Sequence, residues 1–136
     1  MSHPEGLPDL FLDRSLGRIQ VPALLHTAGL RLVTSSEHYG IPADQGVSDV
    51  TWLDAAGRTG WVVFMKDDGI RRKRLEQEVV IAHGVRAFCL NRQDLRAAEM
   101  AARFLDNLDA ITRACRAPGP FIYAVHANRI ERLRIS

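Results

Sequence analysis

The stretch "GWVVFMKDDGIRRKRLEQE", from Gly60 to Glu78, decides the fold of this chain. Its run WVVFM is continuously apolar, which is typical of a strand buried on both faces of a parallel sheet. The strand ends on two adjacent aspartates, Asp67 and Asp68, and a basic helix follows. Neighbouring carboxylates repel each other, so stability alone does not account for this pair. We therefore interpret the end of this strand as part of a functional site.

Strand and helix patterns alternate on both sides of this stretch. Short apolar runs bounded by proline, glycine or charged residues predict further strands at 8–13, 30–35 and 85–90. Apolar residues at helical spacing predict helices at 17–29, 48–60, 70–84 and 94–116. The end of the chain predicts a hairpin over 121–135. Residues 36–47 are rich in turn formers and predict a loop.

The helical patterns also predict which side chains are buried. In the first helix the inward set is Ile19, Ala23, Leu24 and Ala28. In the long helix it is Leu95, Met100, Phe104, Leu108 and Ile111. The helix over 48–60 should begin with Ser48 or Asp49 as its N-cap.

Repeated alternation of strand and helix predicts an α/β fold in which helices cover both faces of a parallel sheet. We expect a single domain over residues 1–136, because no linker or internal repeat divides the chain. Sheets of this kind bind ligands beyond the carboxyl ends of their strands. Asp13 ends the first strand, Asp67 ends the third, and Asp49 opens the helix between them. The topology should therefore gather three acids at one edge of the sheet.

Carboxylates gathered in a cleft repel each other unless a cation lies between them. A hard divalent ion such as Mg²⁺ or Mn²⁺ prefers oxygen ligands and can activate water against a phosphodiester. Arg14 follows Asp13 directly and is a candidate for phosphate contact. A basic run after the aspartate pair would also hold phosphates: Arg71, Arg72, Lys73 and Arg74. This combination predicts a metal-dependent nuclease.

The overall composition excludes some classes of protein. No apolar run approaches the roughly 20 residues that cross a bilayer, and the N-terminus lacks the pattern of a secretion signal. Cys89 and Cys115 form no disulfide framework, so we expect reduced cysteines and a cytoplasmic location. The formal net charge of +2 does not by itself indicate a nucleic-acid partner.

Three segments resemble the PIN-like domains related to VapC-type toxins: "FLDRSLG", "SDVTWLDAAGRTGWVVFMKDDGIRRKRLE" and "GPFIYAVHANRIERL". The resemblance implies a Rossmann-like, PIN-type α/β/α sandwich with a mainly parallel central sheet and a C-terminal β-hairpin. It also implies a Mg²⁺-dependent endoribonuclease that is the toxin of a type II toxin–antitoxin pair, with RNA as substrate and an antitoxin protein as partner. By position, Asp13, Asp49 and Asp67 match the metal-binding acids of the family.

The sequence departs from the family's pattern at two places. Typical members carry a further acid on a helix after the first strand, but residues 17–29 contain none. Glu37 or Asp68 would have to replace that acid as a metal ligand. Two positions before Asp67 the family commonly has threonine or serine, and here the residue is Met65. We also consider a homodimer as an assembly of this chain.

Each of these site residues also has a purely structural explanation. Asp49 could cap its helix, and Asp67 with Asp68 could form the turn before a glycine. The basic residues 71–74 lie within helical reach of two glutamates and could form ion pairs on a solvated surface.

Two other functions compete with the nuclease. The first is a catalytically weakened PIN-like module that binds protein, which metal-dependent RNA cleavage would distinguish from an enzyme. The second is a phosphoacceptor receiver domain, which is disfavoured because Arg14, not a second acid, follows Asp13. The strand at 85–90 also lacks the lysine that a receiver requires after it.

Overall fold

The structure is a computed structural model that describes residues 2–66 and 74–135, without the side chains of residues 74–76. Within these described residues, six strands form one sheet: β1 (Leu10–Leu12), β2 (Leu32–Thr34), β3 (Val62–Met65), β4 (Arg86–Leu90), β5 (Phe121–Val125) and β6 (Ile130–Leu133). Their spatial order is β2-β1-β3-β4-β5-β6. β5 and β6 pair antiparallel, and the other neighbouring strands pair parallel. The predicted mainly parallel sheet with a C-terminal hairpin is confirmed.

Helices cover both faces of the sheet. They are α1 (Gln20–Thr27), α2 (Ser35–Tyr39), α3 (Asp49–Thr59), α4 (Arg74–His83), α5 (Ala97–Asp106) and α6 (Leu108–Ala114). α1, α5 and α6 pack on one face, whereas α3 and α4 pack on the other. This arrangement is the predicted α/β/α sandwich. Among the described residues, no helix has the length and apolar character needed to cross a membrane.

β3 contributes to both hydrophobic cores, which explains its continuous apolar sequence. Val62 and Phe64 lie in the core under α1 and α5, whereas Val63 and Met65 lie in the core under α3 and α4. Side chains alternate between the faces of a strand, so a strand covered on both faces needs apolar residues at every position. The ring of Phe64 stacks on Phe104 of α5, with centroids 4.1 Å apart.

The predicted buried face of α1 is wrong. Val21, Pro22 and Leu25 are buried, whereas Ile19 and Leu24 are exposed. Ala23 is exposed too, and Ala28 is half-buried at the C-cap. The helix is apolar on more than one side, so helical spacing fits two faces, and packing against α5 selects one of them.

The loop predicted over residues 36–47 contains two ordered elements. α2 lies at its start, and a 3₁₀ turn, Ala43–Gly46, lies near its end. A capping box starts α2, in which the Thr34 hydroxyl accepts from the Glu37 N–H and the Glu37 carboxylate accepts from the Thr34 N–H. The spacing T-S-S-E is the sequence signature of this cap, and the turn formers around it obscured it.

The long helix predicted over 94–116 is two helices that meet at Asn107. The buried amide of Asn107 donates to the carbonyl oxygens of Arg103, at 2.8 Å, and His126, at 2.9 Å. Side-chain bonds of this kind compete with helical ones and tie the break to the C-terminal hairpin. The predicted inward residues of both helices are buried: Met100, Phe104, Leu108 and Ile111. Leu95 is partly buried and precedes α5.

Gly57 of α3 lies in close contact with the end of α4. A Cβ atom at this position would lie 2.4 Å from the Cβ atom of His83 and 2.8 Å from its carbonyl oxygen. We expect Gly57→Ala to lower the free energy of unfolding by about 1–3 kcal/mol, because overpacking outweighs the better helix propensity of alanine. Urea denaturation measures the change. Gly46→Ala is the control, since nothing lies within 4 Å of its added Cβ; equal stability of both variants would contradict the prediction.

Candidate active site

The carboxyl ends of the parallel strands form the edge at which Asp13 and Asp49 meet. Leu12 of β1 pairs with Phe64 of β3, and the Asp13 N–H donates to the Phe64 carbonyl oxygen at 3.0 Å. α3 ends at Thr59, just before β3 begins. Its first residue, Asp49, therefore lies at the opposite end of the helix, at the same sheet edge as Asp13. Topology brings together two acids that are distant in sequence.

Asp13 is a buried carboxyl held by the turn that follows it. Its side chain is 6% exposed, and its Oδ2 atom accepts a hydrogen bond from the Ser15 N–H at 3.2 Å. The Ser15 hydroxyl oxygen accepts from the Lys66 N–H at 3.1 Å, which ties this turn to the end of β3. The position of the Asp13 carboxyl is therefore fixed relative to the ends of both β1 and β3.

The electrostatics of Asp13 show that the two acids interact. Burial raises the pKa of Asp13 above the ordinary aspartate value of 3.8, and the negative charge of Asp49 raises it as well. Hydrogen bonds from Ser15 and from the Arg14 backbone lower the pKa, because they stabilise the carboxylate. The ionised form of Asp13 is therefore disfavoured in the folded protein, and a cation at its carboxylate would offset this cost.

Asp49 does not cap α3. The N-cap is Ser48, whose hydroxyl oxygen accepts from the Thr51 N–H at 3.2 Å. The Oδ1 atom of Asp49 accepts from the indole Nε1–H of Trp52 at 3.0 Å. Trp52 is 2% exposed and stacks on Phe11 of β1, with ring centroids 5.7 Å apart. The hydrophobic core thus orients this carboxylate, a contact that sequence analysis missed although the i,i+3 spacing allows it.

Arg14 connects the end of β1 to the segment before α3. Its Nη1 atom donates to the carbonyl oxygens of Asp44, at 3.2 Å, and of Gln45. Both carbonyls belong to the turn Ala43–Gly46, which leads into α3. We call this set of contacts the Arg14 clamp. The guanidinium has five N–H donors, so the clamp leaves donors for a phosphate. Contact between Arg14 and a phosphate stays a prediction.

Asp44 is a buried acid that sequence analysis missed. It is 4% exposed, and its Oδ1 atom has no hydrogen-bond partner among the described residues. A buried carboxylate oxygen without a partner is costly, which makes Asp44 a candidate functional residue. No sequence motif marks Asp44, and the turn formers around it predict only a loop.

Glu37 is not part of the acid pair. Its Oε1 atom accepts from the Thr34 N–H at 2.9 Å, within the capping box of α2. The negative charge that raises the pKa of Asp13 comes from Asp49. The predicted role of Glu37 as a metal ligand therefore gains no geometric support.

Several predicted site residues lie outside the described residues: Asp67, Asp68, Arg71, Arg72 and Lys73, with the side chain of Arg74. Within the ranges that are described, no group of three or more histidine, cysteine, aspartate or glutamate side chains could hold a metal ion. The oxygen atoms of Asp13 and Asp49 nevertheless suit a hard divalent cation. Asp67, the third predicted ligand, follows the last residue of β3 by two positions in the sequence.

Known proteins match this chain over most of its length. The model of the family described as "PIN like domain" matches residues 8–92, which include Asp13, Asp49 and Asp67. A protein of Mycobacterium tuberculosis (strain ATCC 25618 / H37Rv), named "Putative ribonuclease VapC45", is 49% identical over 127 residues. That match covers 93% of this chain and 92% of the relative. No solved structure matches the chain.

The raised pKa of Asp13 predicts how stability depends on pH. The folded protein keeps the proton of Asp13 to a higher pH than the unfolded chain does. Stability is therefore lost as pH rises from 3.8 through the folded pKa, and ionised Asp13 destabilises the protein at neutral pH. Asp13→Asn removes the charge and keeps an acceptor for Ser15. In chelator at pH 7 we expect a higher melting temperature for this variant than for the wild type.

Calorimetry across pH 4–8 measures this effect, and the difference between Asp13→Asn and wild type should shrink towards the acid end. Asp109→Asn is the control, because Asp109 is exposed on α6. Its effect should stay within about 0.5 kcal/mol at every pH. If the Asp13→Asn variant melts below wild type at pH 7, the charge of Asp13 does not destabilise the fold.

Proposed function

The chain belongs to the VapC-type PIN-like domain family, and on this basis we propose that it is a metal-dependent endoribonuclease that hydrolyses RNA phosphodiesters. The observation that carries the proposal is the buried Asp13 carboxyl beside Asp49 at the carboxyl edge of the sheet. Repelling carboxylates reduce stability, and such groups concentrate at functional sites. The name of the M. tuberculosis relative, which contains the word ribonuclease, supports the same activity.

Mg²⁺ or Mn²⁺ is the cofactor that fits this site. Asp13 and Asp49 offer oxygen ligands, and Asp67 would complete the set, with Asp68 as the best candidate for a further acid. When bound, the ion supplies positive charge at the scissile phosphate and lowers the pKa of a water molecule to generate the nucleophile.

The chain's own residues orient the acids and the substrate. Ser15 fixes the carboxyl of Asp13, and Trp52 fixes that of Asp49, so neither acid has to reorganise during the reaction. The Arg14 clamp holds the segment before α3 against the end of β1. The basic residues 71–74 would bind phosphates of the RNA.

The same family membership supports a biological setting. The protein would be the toxin of a type II toxin–antitoxin pair, a single domain over residues 1–136 that acts on RNA in the cytoplasm. Cys89 and Cys115 are buried and form no disulfide within the described residues, which is compatible with that reducing compartment. An antitoxin segment that carries arginine or lysine would pair with Asp13 and Asp49 and thereby exclude the metal ion.

A catalytically weakened module that binds protein is the second candidate. α1 contains no acidic residue, and the Glu37 carboxylate is engaged in its capping box. Such a module would bind the partner protein without cleaving RNA in Mg²⁺ or Mn²⁺.

RNA cleavage by the purified protein tests the enzyme. Wild type should cleave RNA in Mg²⁺ or Mn²⁺ and lose this activity in chelator. Asp49→Asn and Asp67→Asn remove a charge that holds the cation but keep the size of the side chain. We expect each variant to cleave roughly 100-fold more slowly or worse. Single-turnover cleavage of a labelled RNA gives the rates.

Stability measurements separate catalysis from folding in these variants. Asp49→Asn should melt close to wild type, because Ser48 caps α3 and an asparagine oxygen can still accept from Trp52. Asp68→Asn should lose less activity than Asp67→Asn unless Asp68 is a ligand. Millimolar Mg²⁺ or Mn²⁺ should raise the wild-type melting temperature, and less so that of Asp13→Asn. Wild-type cleavage rates in both Asp49→Asn and Asp67→Asn would refute the proposed site.

Co-purification tests the partner. We expect a small protein with a basic segment to co-purify with the tagged chain when both are expressed from the native operon. Charge reversal at Asp49, as Asp49→Lys, should weaken the complex, whereas Asp109→Lys should leave it intact. Light scattering of the purified chain shows whether it forms a homodimer. A chain that elutes without any protein encoded next to it would argue against the antitoxin.

A further inference from the structure

A basic groove begins one residue after Asp13. It lies between residues 14–20 and the start of α5 and has a volume of about 630 Å³, within the range of roughly 300–1,000 Å³ that is usual for ligand sites. We call it the Arg18 groove. The side chains that define it are Arg14, Ser15, Arg18, Ile19, Lys66 and Met100.

The groove adjoins Asp13 through Ser15. Ser15, which lines it, donates its N–H to Oδ2 of Asp13 and accepts the N–H of Lys66. A polymer whose reacting bond lies at Asp13 and Asp49 has to continue on at least one side of them, and the Arg18 groove lies beside Asp13.

The charge of the groove favours an anion. Arg14, Arg18 and Lys66 line it, and none of the described lining residues is acidic. Arg14 is engaged in its clamp. By contrast, the side chains of Arg18 and Lys66 make no hydrogen bond or ion pair within residues 2–66 and 74–135. These two cations are therefore available to a ligand.

Two neighbouring features refine the ligand class. Ile19 is 72% exposed on the wall of the groove and offers an apolar surface to a flat group such as a nucleobase. On the other side of Arg18, Glu37 lines a separate depression. Glu37 and Arg18 form no ion pair with each other within the described residues, and the Oε1 atom of Glu37 accepts from the Thr34 N–H. Adjacent cationic and apolar surfaces match the alternating phosphates and bases of a single strand.

We propose that the Arg18 groove binds the ribose-phosphate backbone of single-stranded RNA next to the bond that is cleaved. Arg18 and Lys66 contact phosphates, and Ile19 packs against a base. This inference rests on the proposed ribonuclease function and adds a binding subsite, built from residues other than 71–74, that determines how the RNA lies across the acids.

Binding in chelator tests the subsite without cleavage. Fluorescence anisotropy measures the affinity of a labelled, unstructured RNA of mixed sequence for wild type, Arg18→Gln, Lys66→Gln and the double variant, over a range of salt concentrations. Each lost phosphate contact should reduce the slope of log K against log salt by about 0.7, and the double variant by about 1.4. At low salt each single variant should bind roughly threefold or more weakly. Ile19→Ser should weaken binding without a change in slope.

Arg116→Gln is the matched control. Arg116 is exposed between α6 and the start of β5, so it lies at the amino edge of the sheet, away from the acids. The Arg116→Gln variant removes the same charge as Arg18→Gln and should leave RNA affinity at the wild-type value within roughly a factor of two. Thermal denaturation confirms that every variant is folded.

The outcomes separate this inference from the proposed function. If the wild type cleaves RNA but Arg18→Gln and Lys66→Gln bind RNA as tightly as Arg116→Gln does, the proposed RNA-binding role of the groove is wrong. The proposed ribonuclease function is unaffected by that result. Groove variants that lose RNA affinity in a protein without metal-dependent cleavage support the groove and refute the enzyme. Absence of RNA binding by wild type overturns the groove. Variants that lose a co-purified protein and keep RNA affinity assign the groove to that protein and also overturn it.

Discussion

The hydrogen bond from the Asp13 N–H to the Phe64 carbonyl oxygen, 3.0 Å long, sets the geometry on which this site depends. It continues the parallel register in which Leu12 lies opposite Phe64, so β1 and β3 end at the same edge. A register shift of one residue would turn each side chain of β1 to the other face of the sheet. Phe11 stacks on Trp52 in the core under α3, and a shift would put a leucine in its place, so specific packing disfavours the shift. The packing that stabilises the fold therefore also positions Asp13.

Stability and function conflict at this edge. A buried carboxyl whose pKa is raised by desolvation and by a second acid reduces the stability of the folded state at neutral pH. The core compensates for this cost, because Trp52 stacks on Phe11 and also donates the hydrogen bond that orients Asp49. A buried aromatic residue of the core thus also orients one of the charges of the site. A cation bound between the acids would interact favourably with both carboxylates and offset the cost of their proximity.

Three cations near the acids have different surroundings and therefore different roles. Arg14 is bound to backbone carbonyls of the turn before α3, which makes it part of the scaffold. Arg18 and Lys66 line the groove without partners among the described residues, which leaves them available for phosphates. Sequence analysis grouped Arg14 with the RNA-binding residues and did not consider Arg18, because adjacency to an aspartate is visible in a sequence and the wall of a groove is not.

The sequence alone determined the sheet, its buried central strand and the edge at which Asp13 and Asp49 lie, because side-chain periodicity and chain order specify which ends of parallel elements coincide. It could not choose the buried face of α1, where two apolar faces compete, or foresee that Asn107 breaks the long helix through a bond to His126. The Trp52–Asp49 bond, the Arg14 clamp and the burial of Asp44 were likewise decided by the tertiary structure. Hydrogen bonds between distant segments and the burial of single polar groups depend on how elements pack, and no local pattern of residues encodes that packing.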